Sequence, residues 1–439
     1  MSDWRTKQIN QLGRVVTGKT PPKVRSDYFD GSELFVSPKD FDWNGGYVER
    51  TQTTITEQAL RAFRNQVIPR NAVLFTSISF GFGKIAIASR RLLTNQQINS
   101  VIANEDHNFR FIYYLLRAYT PVIFSYNSGI DTPIVPKSVF EKIEVKCPEF
   151  ELQRKIAAIL TAYDDLIATN NRRIAILEKV AEEIFREWFV RMRFPGHQDT
   201  HFIKGFPEKW PLQRFTDLVE INPRDKVDKA DFVPYVGMES LSATSMYFIS
   251  HESRKGAAGS KFRNRDTLLP RITPCLENGK RGFVSFLEDQ QIGIGSTEFI
   301  VLREKVLPPE YIYLLSCNPS FRQHAELSMT GASGRQRVKD DCFSYFFVAT
   351  PPENIRYHFS EITRPIFQSI SVYAKQNAIL SKTRDLLLPR LISGKLSVAD
   401  LDIQFPPSMR EEIEGVDQKE QELRGEPQPP AISQEGSRP

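Results

Sequence analysis

The residues that come nearest to reactive chemistry are few and scattered. Pro274-Cys275 has the types of a nucleophilic dipeptide that attacks cytosine. A thiolate of that kind works on a bound methyl donor, and no Gly-rich cofactor loop lies upstream, so Cys275 is read as a strand-end residue. Asn222-Pro223-Arg224-Asp225 is the nearest string to the Asn-Pro-Pro-Tyr clamp that grips a flipped adenine. It lacks the second proline and the stacking aromatic, and a polar turn after a strand accounts for it. His197 and His201, with Asp199 between them, have the spacing of metal ligands on one helix face. Pro195, Gly196 and Gly205 instead put them in a flexible, solvent-exposed linker, Phe194 to His201. A phosphate loop of the form Gly-x-x-x-x-Gly-Lys-Ser/Thr does not occur. The chain is therefore expected to have no catalytic, cofactor-binding or metal-binding residues.

The elements that could position any other site are more informative. A chain of 439 residues, 40% hydrophobic and 25% charged, is globular and too long for one core. Its 58 basic and 53 acidic residues leave a mild net charge of +5, which permits a polyanionic partner without demanding one. Cys147, Cys275, Cys317 and Cys342 stand far apart, which argues against disulfides and for a reducing, cytoplasmic setting. The sequence has neither a membrane-length apolar run nor the basic-then-apolar start of a secretory signal.

The chain is written twice. Trp4 with Leu12 is echoed by Trp210 with Leu218, and Phe109 to Leu116 by Glu310 to Leu315. Before each aromatic helix, strand-like alternation ends in a Gly-Lys turn, at Gly83-Lys84 and Gly279-Lys280, which marks mixed α/β domains. After each domain a long helix is expected, the first from about Glu151 to Arg191. Its seam is Ile156, Leu160, Tyr163, Ile167, Asn170, Ile174, Leu177, Ala181, Ile184 and Trp188, in alternating steps of four and three. Adding 203 gives Phe359, Thr363, Ile366, Ile370, Tyr373, Asn377, Leu380, Arg384, Leu387 and Leu391. Thr363, Asn377 and Arg384 should weaken the second seam. The expected fold is thus α+β: two mixed α/β domains in tandem, separated by two long helices packed as an antiparallel coiled coil with pseudo-two-fold symmetry. Helices of this length span roughly 60 Å, comparable to one or two turns of DNA at about 34–36 Å each. The expected boundaries are 1–147, 148–194 (helical), 195–205 (linker), 206–350, 351–403 (helical) and 404–439, a disordered tail rich in Pro, Glu and Gln.

Several strings resemble the specificity subunit of type I restriction–modification systems. They are Arg271-Ile272-Thr273-Pro274-Cys275-Leu276-Glu277-Asn278-Gly279-Lys280, Gly295-Ser296-Thr297-Glu298-Phe299, and Leu387-Leu388-Pro389-Arg390-Leu391-Ile392-Ser393-Gly394. Pro148 followed by Gln153, Ile156, Ala157, Ile159 and Leu160 is similarly typical, and the likeness covers about residues 4 to 403. The resemblance implies two target-recognition domains reading a bipartite, asymmetric site on double-stranded DNA. It implies helical regions that dock two methyltransferase (modification) subunits, joined by restriction/translocase subunits, with no membrane contact. S-adenosylmethionine, ATP and Mg are then expected in those partner subunits and none in this chain.

On that reading, phosphates are met by Lys and Arg, and base edges by Arg, Lys, Asn, Gln, Ser and Thr in loops. The candidates are Thr76, Ser77, Ser79, Lys84, Arg90 and Arg91 in the first half. In the second they are Arg271, Asn278, Lys280, Arg281, Ser333, Arg335, Gln336, Arg337 and Lys339. Two other functions remain open: a self-sufficient DNA methyltransferase or nuclease, and a coiled-coil scaffold that binds protein.

Overall fold

The computed structural model describes residues 4–410 apart from 42–44, 79–81, 129–133, 229, 249–251, 257, 333 and 335. The chain forms two compact units, Met1–Ile167 with Leu380–Pro439, and Ala168–Ile379.

In the first unit, a five-stranded sheet has the order Gly13–Thr17, Ile98–Ala103, Val73–Thr76, Ile85–Ala88, Tyr47–Val48. Every residue of Val73–Thr76 and Ile85–Ala88 is buried, as in strands covered on both faces. Helix Phe109–Ser125 packs on these strands; the Asn108 side chain caps it by accepting from the Phe111 N–H at 3.0 Å. A smaller sheet has the order Thr53–Ile55, Phe29–Val36, Leu92–Thr94. The ends of the domain are tied by Arg5–Gln8 paired antiparallel with Glu144–Cys147.

The second unit repeats this plan. Leu212–Arg214 pairs antiparallel with Phe347–Ala349, and an aromatic helix, Pro309–Cys317, covers a sheet ordered Val219–Ile221, Phe299–Glu304, Thr267–Pro270, Gly282–Phe283. A second four-stranded sheet has the order Glu252–Lys255, Phe232–Val236, Gly293–Gly295, Ser260–Phe262. Both domains are mixed α/β, as the repeat predicts.

The two long helices are Phe150–Phe185 and Glu353–Ile392. The first ends in a wider π-helical turn, Arg186–Val190, a few residues short of a regular helix to Arg191. Within the second unit their segments run antiparallel: Asn170 meets Asn377 while Trp188 meets Phe359, 5.8 Å between ring centres. Ile174, Ala181, Trp188, Phe359 and Ile370 are buried there, with Leu177, Ile184, Ile366 and Tyr373 packed against them. Within the first unit, Ile156, Leu160 and Leu391 are buried, Leu387 packs against them, and Arg384 meets Asp164. Tyr163, Ile167 and Leu380 are half-buried.

Three expectations need correction. The polar seam positions do not loosen the packing: Thr363, Asn377 and Arg384 are 0%, 9% and 3% exposed, and each has a partner. Thr363 donates to the Phe359 carbonyl, Asn170 donates to Asn377, and Arg384 is paired with Asp164 and Asp385. The segment taken as a flexible linker is ordered, because Phe194 is buried 4.7 Å from the Trp210 ring and Phe202–Ile203 pairs with Phe206–Pro207. Chain order also continues past residue 403. Met409 is buried, Ser408 donates to Asp165 at 2.6 Å, and the Arg154 guanidinium lies 4.7 Å from the Phe405 ring. Residues 411–439 of the expected tail lie outside the described residues.

Candidate nucleic-acid interface

In the second domain, strand pairing assembles a basic cleft from four separate stretches. Ser260 and Lys261 lie opposite Gly295 and Ile294, which carries Gly259–Lys261 to the start of the strand Phe299–Glu304. Arg271 follows the neighbouring strand Thr267–Pro270, whose register with Phe299–Glu304 sets Pro270 against Phe299. Asn222 follows the third, with its backbone in the left-handed region at φ 52°. Asparagine tolerates that conformation, and here its side chain also accepts from the Val301 N–H at 3.0 Å. Asn222, Arg224, Ser260, Lys261, Arg271 and Thr297 line the resulting open cleft. Arg224 is exposed, whereas Lys261 and Arg271 are half-buried.

The acids near this cleft are already committed. Asp225 pairs with Arg263 and Arg303, and Arg303 also grips Asp266 at 2.7 Å. Burial pushes the Asp266 carboxyl up, against the pull of the Arg303 hydrogen bonds. The cleft therefore presents positive charge to solvent.

Beside it stands a hairpin stitched to the strand end. Thr330 and Arg337 exchange two backbone bonds of 3.0 Å, the Gln336 carbonyl accepts from the Thr273 N–H, and the Val338 N–H donates to Arg271. The Thr273-Pro274 peptide within this strip is cis. Arg337 grips Glu298, whose carboxyl that contact holds below its ordinary range. Arg271, Gln336 and Arg337 are thus brought together, and Lys339 is exposed just beyond. Ser333 and Arg335 lie outside the described residues.

The remaining candidates separate. Asn278 is exposed, while Lys280 donates to the Met238 carbonyl at 3.3 Å. Arg281 is turned inward, toward the Cys317 sulfur at 2.8 Å and Glu182 at 3.9 Å, so it fastens the domain to the first long helix. Glu178 of that helix adds to the joint by accepting from the Met246 N–H and the Ser245 hydroxyl. In the first domain, Thr76 and Ser77 are 0% and 2% exposed. Their hydroxyls donate to the carbonyls of Lys84 and Gln97, which removes them as base readers: a strand-end hydroxyl has satisfied itself on the backbone. The Lys84 ammonium lies 3.2 Å from the Phe41 carbonyl. Arg90 is exposed and reaches the Ser32 carbonyl, and Arg91 pairs with Glu57. Ser79 lies outside the described residues.

Arg224, Lys261 and Thr297 were missed from sequence. Arg224 sat in a string dismissed as a turn, and the others join it only through pairing between strands more than thirty residues apart. The residues weighed for chemistry lie elsewhere. His197 donates Nδ1–H to Phe194, and His201 pairs with Glu208 at 3.4 Å. Burial pushes the Cys147 and Cys317 thiols up to about 11, which suits packing rather than nucleophilic attack. Among the described residues no helix is long and apolar enough to cross a membrane.

Comparison with known proteins completes the picture. Residues 1–179 match the family model of the type I restriction modification DNA specificity domain. Over 418 residues the chain is 25% identical to the MjaIX type I restriction enzyme specificity subunit of Methanocaldococcus jannaschii, spanning 91% of this chain and 95% of that one. The chain belongs to the type I restriction–modification specificity subunits. The MjaVIII specificity subunit of the same organism is 18% identical over 412 residues, covering 91% of this specificity subunit and 94% of its relative. Its fold is like that of the type I restriction–modification S subunit from M. genitalium, with a TM-score of 0.55, 13% identity, and coverage of 89% of this chain and 96% of that one.

Proposed function

We propose that this specificity subunit reads a bipartite, asymmetric site on double-stranded DNA, one half-site per α/β domain, and itself performs no catalysis. The observation that carries this is the basic cleft. Arg224, Lys261 and Arg271 surround hydroxyl and amide side chains on a face whose acids are already neutralised. Phosphates bind such cations, while the neighbouring polar side chains suit base edges. The two domains share a framework but differ in the side chains mounted on it, so the half-sites should differ.

Catalysis would come with two methyltransferase subunits held on the long helices, and with restriction/translocase subunits joined to them. Those partners would supply the sites for S-adenosylmethionine, ATP and Mg. Replacing residues 1–147 with the equivalent part of another specificity subunit tests the division of labour. Only one half-site of the methylated motif should change; change in both halves contradicts it. Charge placed at Ile174 and Leu177 should disturb assembly more than base preference. A scaffold that binds only protein would show no DNA affinity, whereas phosphate binding weakens steeply as salt rises.

A further inference from the structure

Glu298 and Arg337 make a two-pronged contact on the second domain. The arginine Nε lies 3.0 Å from both carboxylate oxygens, and its Nη2 lies 2.7 Å from Oε1. The side chains are 24% and 53% exposed, so both ends are open to solvent. Their backbones are fixed. Arg337 is bonded on both sides to Thr330, and the Arg271 N–H donates to the Glu298 carbonyl at 2.9 Å. Thr297, the residue before Glu298, lines the basic cleft together with Arg271 and Lys261.

A carboxylate on the rim of such a cleft is repelled by phosphate, so it weakens binding to DNA of any sequence. Its presence beside a forked arginine has a chemical counterpart on DNA. The arginine fork matches guanine O6 and N7, and a carboxylate accepts from the cytosine N4 amino group.

We infer that Arg337 and Glu298 together read G·C base pairs in the second half-site, Arg337 taking a guanine and Glu298 a cytosine amino group. This rests on the DNA-reading function proposed above. Without DNA each charge satisfies the other. On the cognate site both exchange partners, and neither is left buried and unpaired. An A·T pair at that place offers no paired acceptors to the fork and strands it against the bases.

The test uses the full chain co-expressed with its methyltransferase subunits, followed by mapping of methylated adenines across host DNA. The wild-type motif should contain G·C pairs in its second half-site. Arg337→Gln should relax a guanine there, and Glu298→Gln a cytosine, with discrimination falling roughly ten- to hundredfold. The first half-site should not change in either variant. The charge-swapped double variant Glu298→Arg with Arg337→Glu retains an ion pair, so recovery of the wild-type motif by it would make the contact structural and overturn the inference. A second half-site without G·C pairs, an unchanged motif in both single variants, or uniform loss of methylation from folded variants would also overturn it. A wild-type chain that imposes no motif at all would instead defeat the DNA-reading function beneath it.

Discussion

The two units carry the same long helices but close the joint between them with different chemistry. In Ala168–Ile379 the joint is aromatic: Phe185, Trp188, Phe189, Tyr311 and Phe359 cluster with ring centres 4.7–6.3 Å apart. In the other unit it is ionic. Arg384 is buried between Asp164 and Asp385, the Tyr114 hydroxyl donates to Asp164 at 2.6 Å, and Arg117 reaches Asp385 at 3.4 Å. Burial and the Asp164 charge hold the Tyr114 hydroxyl far above its ordinary range, so it remains a donor. A heptad seam therefore specifies which positions face inward without dictating how they are satisfied. Aromatic rings gain from every bit of area removed from water. A buried ion set is stable only while every member keeps its partner.

That contrast can be broken in order of expected effect. Phe359→Ala should cost about 3–5 kcal/mol, because it empties the centre of the ring cluster. Denaturant unfolding would show the loss, with little dependence on pH. Arg384→Met should cost about 3 kcal/mol by leaving Asp164 and Asp385 without their shared cation. Adding Asp164→Leu should recover much of it, a rescue that no second substitution gives Phe359→Ala. Failure of that recovery would mean the ionic joint is not a closed set. Asn377→Ala should cost about 1–3 kcal/mol, since the buried Asn170 amide loses its acceptor.

The smallest effect concerns pH. His107 is held neutral by burial and by Lys7, whose ammonium lies 2.9 Å from Nε2; its pKa falls to about 4. The unfolded chain binds a proton near pH 6.5, whereas the folded chain resists until about 4. Stability should thus fall as pH drops through that window, by about 1 kcal/mol after allowance for solvent screening. His107→Gln should flatten the profile there, measured as melting temperature against pH.

The repeat, the α/β character and the inward positions of both helices were legible because they are local patterns with fixed periods. Asn377 and Arg384 looked like flaws in the seam because their partners, Asn170 and Asp164, lie more than two hundred residues away. The site was less legible for the same reason. Thr76 and Ser77 had suitable hydroxyls, but neighbouring carbonyls claim them. Arg271, Gln336 and Arg337 were recognisable from glycine-rich, basic strings, whereas Lys261 enters the cleft only through strand register.

The most direct measurement is a map of methylated adenines in cells that express the partner methyltransferase with and without this chain. One asymmetric, bipartite motif that vanishes when the chain is omitted is the predicted result. Methylation that persists unchanged in its absence would contradict the assignment of sequence recognition to this subunit.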